Sequence, residues 1–397
     1  MKGLIGRILL VSLVLALAAP ASAGQGNMVY LENEHIRVGF LPELTGRMVF
    51  LELRKSPGNV FAPVTNVRIP LLPELTVICS NPNGGRVMSW EQGAFRANIP
   101  FESTMKDGVL RLTARAGDFV YTREFSLEPD TLVLNEKMSL RNCTASEQVF
   151  SLWTQCCGVF SIPSIDLFKK LSWYVPAGPK RSIEKSVKKS PARRGADSRG
   201  LVEFSFEREP LGVNVSVNPY GNFMALTNRE SKKSVLLSPP MSDIDSDGFF
   251  NGWFGKTEET CQASIEVITN EKRIPAGATV TWPMRYLVVE GLPRINALGG
   301  KLALFAETSA EGTRIECVPV VRIPGGTLEL AWVHGGSERV FPIASGAMGT
   351  GDVIKAFCPE CRPQEGDLLF YRLKDAKGVL ADEAEIFWKN HSSFSKQ

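Results

Sequence analysis

The chain has 397 residues, of which 44% are hydrophobic and 22% are charged, so its composition excludes a wholly disordered protein. The formal net charge is +3, and Lys2 and Arg7 lie in a segment that we expect to be removed, which leaves about +1. This balance gives no sign of a nucleic-acid or anionic-membrane partner. Three histidines, His35, His334 and His391, are too few to predict a multi-histidine metal centre.

Residues 1–23 have the pattern of a secretory signal peptide. Two basic residues precede an apolar run of about a dozen residues, and Ala21-Ser22-Ala23 is a small-residue cleavage site. The run is too short to span a bilayer comfortably, and no later stretch reaches the required length. We therefore predict a secreted or periplasmic protein that has no membrane span and begins at Gly24 after cleavage.

From Met28 onward, apolar and polar residues alternate with a period of two. Ile36, Val38 and Phe40 are one example, and the residues of the segment 202–206 are another. Such alternation predicts strands that bury one face and expose the other. Segments rich in Gly, Pro and Asn separate the strands, and the one helix suggested by the pattern is short, near 164–171. The predicted fold class is therefore all-β.

A domain boundary is predicted between Gly291 and Gly300, where Leu-Pro and Gly-Gly interrupt the strands. The residues beyond it alternate again and contain enough strands for a small Ig-like β-sandwich at 297–393. Cys358-Pro359-Glu360-Cys361 falls in this part, without a second CxxC or a nearby His to complete a zinc site. The pair is predicted to be a small structural disulfide or two buried thiols.

Four segments, taken in order, are similar to galactose mutarotase-like (aldose epimerase-like) supersandwich proteins, especially exported relatives. This resemblance implies a supersandwich over 27–292, with a sugar-binding cleft in its concave face. The segments are the hairpin LENEHIRVGFLPELTGRMVFLELRKSPGNVF at 31–61, Asn83-Gly84-Gly85-Arg86 with Trp90-Glu91, Leu140–Thr144 with Ser151–Thr154, and Ser264–Val267 with Ile274–Gly277.

The resemblance also implies roles for individual residues. Glu266 falls where the family has its catalytic base, whereas the family's two cleft histidines are replaced, one by Asn83 and the other around Trp153-Thr154-Gln155. A mutarotase needs a proton donor for the ring oxygen, so the usual activity is not expected here. The residues predicted to bind sugar are Arg47, Asn83, Arg86, Trp90, Trp153, Gln155 and Trp253.

These features predict a protein that binds carbohydrate, because indole rings stack on the C–H faces of sugars and amide or guanidinium groups bind hydroxyls. The alternative is a sugar-active enzyme of epimerase, hydrolase or lyase type, with Glu266 as general base. A structural or assembly role with a vestigial cleft is a third option.

Two further segments carry charge. Asp243-Ile244-Asp245-Ser246-Asp247-Gly248 has the spacing of a calcium loop, but position twelve is Phe254 rather than Glu. A structural calcium ion is the one cofactor suggested, and an acidic surface turn is the alternative. Residues 180–199 hold eight Lys and Arg residues and form either a solvated loop or an arm for an acidic glycan.

Overall fold

The computed structural model describes residues 28–43, 46–58, 60, 77–80, 86–92, 100–157, 169–178, 200–205, 214–217, 220–256, 261–388 and 390–392. The predicted signal peptide, the segment 180–199 and Asn83 lie outside these residues. Most of the segment 164–171 also lies outside them, and its last residues form a turn followed by the start of a strand.

The described residues form 28 strands and one 3-10 helix at Met241–Asp243. The earlier strands are β1 (Val29–Glu32), β2 (Ile36–Leu41), β3 (Arg47–Leu53), β4 (Val77–Ser80), β5 (Arg86–Gln92), β6 (Glu102–Lys106), β7 (Val109–Ala116), β8 (Phe119–Leu127), β9 (Val133–Asn142), β10 (Gln148–Cys157), β11 (Leu171–Ala177), β12 (Gly200–Ser205) and β13 (Asn214–Val217). The later strands are β14 (Met224–Asn228), β15 (Lys233–Ser238), β16 (Phe249–Lys256), β17 (Cys261–Ile268), β18 (Lys272–Ile274), β19 (Thr279–Glu290), β20 (Ala297–Leu298), β21 (Leu302–Thr308), β22 (Thr313–Pro319), β23 (Gly326–His334), β24 (Ser337–Ser345), β25 (Ile354–Cys358), β26 (Leu368–Asp375), β27 (Leu380–Glu385) and β28 (Asn390–Ser392).

The strands form five sheets, which confirms the predicted all-β class. A three-stranded sheet has the order β1-β2-β3, and a seven-stranded sheet has the order β13-β16-β17-β10-β5-β4, with β18 paired to β10. A ten-stranded sheet has the order β28-β12-β11-β14-β15-β19-β9-β8-β7-β6. Two four-stranded sheets follow, β20-β21-β22-β25 and β24-β23-β26-β27. Within the described part of the chain, no helix is long and apolar enough to cross a membrane.

The seven-stranded and ten-stranded sheets pack face to face around the largest hydrophobic core. Trp173 on β11 is completely buried there and contacts Phe204 edge to face, with ring centroids 5.3 Å apart. A Cβ atom at Gly252 on β16 would lie only 1.1 Å from Cζ2 of Trp173. Glycine at this position therefore lets the indole fill the space between the sheets, and it shows which side of β16 faces the core.

A buried ionic network crosses the ten-stranded sheet. The guanidinium of Arg123 on β8 donates to the carboxylate of Glu136 on β9 and to the carbonyl oxygen of Gly46, 2.8 Å away. Tyr286 on β19 donates its hydroxyl to the other oxygen of Glu136 at 2.6 Å. All three side chains are buried, so each charge depends on its partners in the network.

The C-terminal sandwich shares one of its sheets with the larger core. Leu302 and Leu304 of β21 lie in the sandwich core, whereas the alternate residues Ala303 and Phe305 lie in the core of the larger unit. The last strand, β28, pairs in parallel with β12 of the ten-stranded sheet. The segment 297–393, expected from the sequence to be a sandwich, therefore gives its final strand to the neighbouring sheet.

Cys358 and Cys361 are buried free thiols, which is the second of the two alternatives expected from their spacing. Burial raises the pKa of Cys361 to about 11, so this thiol stays protonated at neutral pH.

Candidate functional site

Five adjacent strands of the seven-stranded sheet each carry a polar residue at positions that pair directly with one another. Asn251 pairs with Glu266, and Glu266 pairs with Gln155. The row continues to Ser216 on β13 at one end and to Glu91 on β5 at the other. Directly paired residues share a face of a sheet, so these five positions, which we call the polar row, form one line across it.

Glu266 is the centre of the described contacts in the polar row. Its side chain is only 2% exposed. Its Oε2 atom accepts a hydrogen bond from Asn251 Nδ2 at 2.6 Å and another from Trp153 Nε1 at 2.9 Å. The carboxylate thus joins strands β16, β17 and β10, and it fixes the orientation of the half-buried Trp153 indole.

The polar row lies on the side of the sheet that faces away from the inter-sheet core. Gly252 faces Trp173 in that core, so its neighbour Asn251 is on the opposite face because successive strand residues alternate. Position 253 shares the face of Asn251 and pairs with Ser264. The predicted site positions Trp153, Gln155, Trp253 and Glu266 are therefore on the same face of one sheet.

Other predicted binding residues lie elsewhere. Arg86 and Trp90 on β5 pair with Phe150 and Thr154, so their positions alternate with Glu91 and fall outside the polar row. Arg47 begins β3 in the three-stranded sheet and is completely buried. Asn83 lies outside the described residues.

None of the three histidines belongs to the seven-stranded sheet. His35 forms a 2.8 Å contact with Asp130, and His334 on β23 forms a 2.7 Å contact with Asp367. His391 is on β28 in the ten-stranded sheet. The described part of the site therefore has no imidazole for general acid catalysis next to Glu266.

The acidic loop 243–248 is held together by hydrogen bonds and an ion pair. Asn270 Oδ1 accepts from the backbone N–H groups of residues 246–248, and its Nδ2 donates to Asp245 Oδ1 at 2.9 Å. Asp243 is nearly buried and pairs with Lys272 Nζ at 2.8 Å. An amide and an ammonium thus occupy positions close to two of the carboxylates that were predicted to bind calcium.

Among the described residues, one group of three potential metal ligands has its ligand atoms within 4.8 Å of one another, and it is Glu34, His35 and Asp130. The structure does not bring Asp243, Asp245 and Asp247 together in this way. Calcium binding by the acidic loop stays a prediction.

Sequence reasoning missed Asn251, Glu91 and Ser216 as members of the polar row. Ser216 alternates with Val215 and Val217, and Asn251 alternates with Phe250 and Gly252, so each is visible as the polar member of an alternating strand. Their alignment with Glu266 depends on strand pairing between distant segments, which alternation alone does not give.

Comparison with known proteins gives structural similarity without a sequence match. No family model and no curated protein sequence matches the chain. A solved galactose mutarotase-like protein from Lactobacillus casei is 12% identical, with a TM-score of 0.47, and the match covers 66% of this chain and 100% of that one. Slr1438 from Synechocystis is 13% identical, with a TM-score of 0.46 and coverage of 66% and 96%. A putative aldose 1-epimerase from Escherichia coli is 11% identical, with a TM-score of 0.43 and coverage of 67% and 99%.

The Lactobacillus casei and Escherichia coli structures bear names of the group of proteins that the four sequence segments resemble. At these identities and TM-scores the similarity carries no argument about function, which is argued below from the residues of this chain.

Proposed function

We propose that the protein binds carbohydrate on the face of the seven-stranded sheet that carries the polar row. The observation that supports this most directly is the contact of Trp153 and Asn251 with the single oxygen Oε2 of Glu266. An indole held in a fixed orientation beside a carboxylate and an amide combines a stacking surface with hydrogen-bonding groups. Sugars present both C–H faces and hydroxyls, and this combination is complementary to them.

The same contacts favour binding over general base catalysis. Two donors on Oε2 stabilise the ionised carboxylate as a hydrogen-bond acceptor. Anomer interconversion also needs a proton donor, and the described residues offer no histidine in this sheet. We therefore infer that Glu266 recognises hydroxyl groups.

One observation favours the second candidate, a sugar-active enzyme. A carboxylate that is 2% exposed is costly to bury, and such groups are frequent among catalytic acids and bases. Under this alternative, Glu266→Gln abolishes turnover and leaves sugar affinity nearly unchanged, because the amide keeps the shape but cannot take a proton.

The C-terminal sandwich contains a matched control for the site. Trp332 Nε1 donates to Asp367 Oδ2 at 2.8 Å, which is also an indole–carboxylate pair with a half-buried tryptophan. Burial by itself would raise the pKa of Asp367, but hydrogen bonds from the backbone N–H of Gln364, from His334 and from Trp332 outweigh it and lower that pKa. This pair lies on a different sheet, so its removal tests the effect of losing such a contact outside the proposed site.

The experiment is a glycan array on the purified mature protein, followed by calorimetric titration with each glycan that binds. Trp153→Ala and Glu266→Gln are expected to weaken binding by about ten- to a hundredfold, the range for a lost charged hydrogen bond. Trp332→Ala and Asp367→Asn are expected to retain wild-type affinity. NMR of anomeric exchange on the same glycans tests for turnover.

Three outcomes contradict the proposal. If no glycan binds, or if the Trp332 and Asp367 variants lose affinity as much as the site variants, the polar row is not a sugar site. If the wild type catalyses anomeric exchange or bond cleavage and Glu266→Gln does not, the enzyme alternative replaces it.

Export belongs to the same proposal, because the pattern at residues 1–23 supports a secreted or periplasmic location. N-terminal sequencing of the exported protein is expected to begin at Gly24. Mature protein that retains Met1 would contradict this.

A further inference from the structure

A concave surface lies on the face of the ten-stranded sheet that points away from the inter-sheet core. Ser126 on β8 pairs with Asn135 on β9, Asn135 with Arg285 on β19, and Arg285 with Ser238 on β15. All four line an open cavity of about 780 Å³ that we call the outer trough, walled in part by Pro239. These strands alternate, and the four residues fall on the face that points away from the inter-sheet core.

Arg285 is the unusual residue of the outer trough. Its Nη1 and Nη2 atoms donate to the carbonyl oxygens of Gly299 and Gly300, both at 3.1 Å, which anchors the guanidinium to the loop before β21. Among the described residues, no carboxylate oxygen lies within 4.0 Å of it. The nearby Asp382 carboxylate instead accepts from Tyr371 and from the backbone of the same loop. Burial lowers the pKa of Arg285, as expected for a cation whose lost hydration is incompletely replaced.

The other charged side chains of the outer trough have partners. Glu124 lies 3.3 Å from Lys137 and 3.8 Å from Arg111. Glu136 is buried with Arg123 in the core network. Arg285 is therefore the charge in the described lining that lacks an opposite charge in contact.

We propose that the outer trough binds a hydroxylated organic anion of the sugar-acid class, such as a hexuronate. The carboxylate pairs with the free edge of the Arg285 guanidinium, which suits planar two-point recognition. Asn135 and Ser238 flank Arg285 at one strand spacing, about 4.8 Å on each side, and are placed to bind ring hydroxyls. The cavity volume lies in the range of small-molecule sites.

The composition of the lining separates this site from the polar row. Among the described residues, none of those that line the outer trough is aromatic. A neutral sugar would find no stacking surface there, so the charge must supply most of the affinity. The proposal does not depend on the function proposed for the polar row.

The test is calorimetric titration of the mature protein with D-galacturonate and D-glucuronate, and with their neutral parents D-galactose and D-glucose. At least one uronate is expected to bind, and Asn135→Asp is expected to weaken it at least tenfold. This substitution keeps the side-chain shape and places a carboxylate directly across from Arg285, so it supplies the missing counter-ion and excludes the ligand. Arg285→Gln is expected to weaken binding about ten- to a hundredfold.

One further variant makes the result specific. Arg273→Gln removes a cation that is 78% exposed and does not line the outer trough, and it is expected to retain uronate affinity. Because Arg285→Gln also loses its bonds to Gly299 and Gly300, Asn135→Asp decides the outcome if the arginine variant unfolds.

The proposal is overturned if neither uronate binds, or if the neutral parent binds as tightly as its acid. It is also overturned if Asn135→Asp retains uronate binding while Glu266→Gln loses it, since the anion would then occupy the polar row.

Discussion

Gly252→Ala is expected to be among the most destabilising single-methyl additions in this protein. The new Cβ would lie 1.1 Å from Cζ2 and 1.5 Å from Cη2 of Trp173, whereas carbon atoms rest at about 3.5–4.0 Å. The indole would have to move by more than about 2 Å. Trp173 is completely buried and packs against the Phe204 ring, so little space is available for that movement.

Overpacking a close-packed core costs about 1–3 kcal/mol and occasionally more. Because the contact involves the rigid part of a buried ring, we expect a loss of about 3 kcal/mol or more in the free energy of unfolding. Urea denaturation followed by circular dichroism measures it.

Gly325→Ala is the matched control for this substitution. Its Cβ would meet only the Cβ of Ala376 at 3.7 Å, an ordinary contact, so the free energy of unfolding is expected to change by less than about 1 kcal/mol.

A double-mutant cycle tests the stated cause. Trp173→Phe removes the atoms that clash with residue 252, so the double variant Gly252→Ala with Trp173→Phe is expected to be more stable than the sum of the single effects predicts, by at least about 1 kcal/mol. Two results would contradict the described packing of the two large sheets at this point. One is a free energy of unfolding for Gly252→Ala within about 0.5 kcal/mol of the wild type, and the other is additivity of the two substitutions.

Three further perturbations test the described contacts. Arg123→Met is expected to lower the free energy of unfolding by about 3–5 kcal/mol, because Glu136 stays buried without its cation; a loss below 1 kcal/mol in urea denaturation would contradict the buried network. The pKa of Asp367 is lowered on folding, so its contribution to stability is present above about pH 4 and is lost as the pH falls further, and Asp367→Asn is expected to flatten the acid side of the Tm profile. Asn270→Ala removes the acceptor of three backbone N–H groups and is expected to cost about 2–3 kcal/mol in urea denaturation, and a loss below about 1 kcal/mol would contradict the described loop.

The sequence alone determined the fold class. The period-two alternation of Ile36, Val38 and Phe40 predicted a strand, and they lie in β2 with their side chains buried. This succeeded because the alternation of side chains is a local property of the extended backbone. The family resemblance placed Glu266 and Trp153 in one predicted cleft, and the structure joins the two side chains by a hydrogen bond.

Other features became visible only in the tertiary structure. β21 reads as a run of apolar residues, and nothing in it reveals that Leu304 faces one core and Phe305 another. Trp90 resembled a site residue from its motif, yet its position on β5 alternates with that of Glu91 in the polar row. The physical reason is that pairing and register join strands far apart in the chain, and a shift of one residue moves every side chain of a strand to the other face of its sheet.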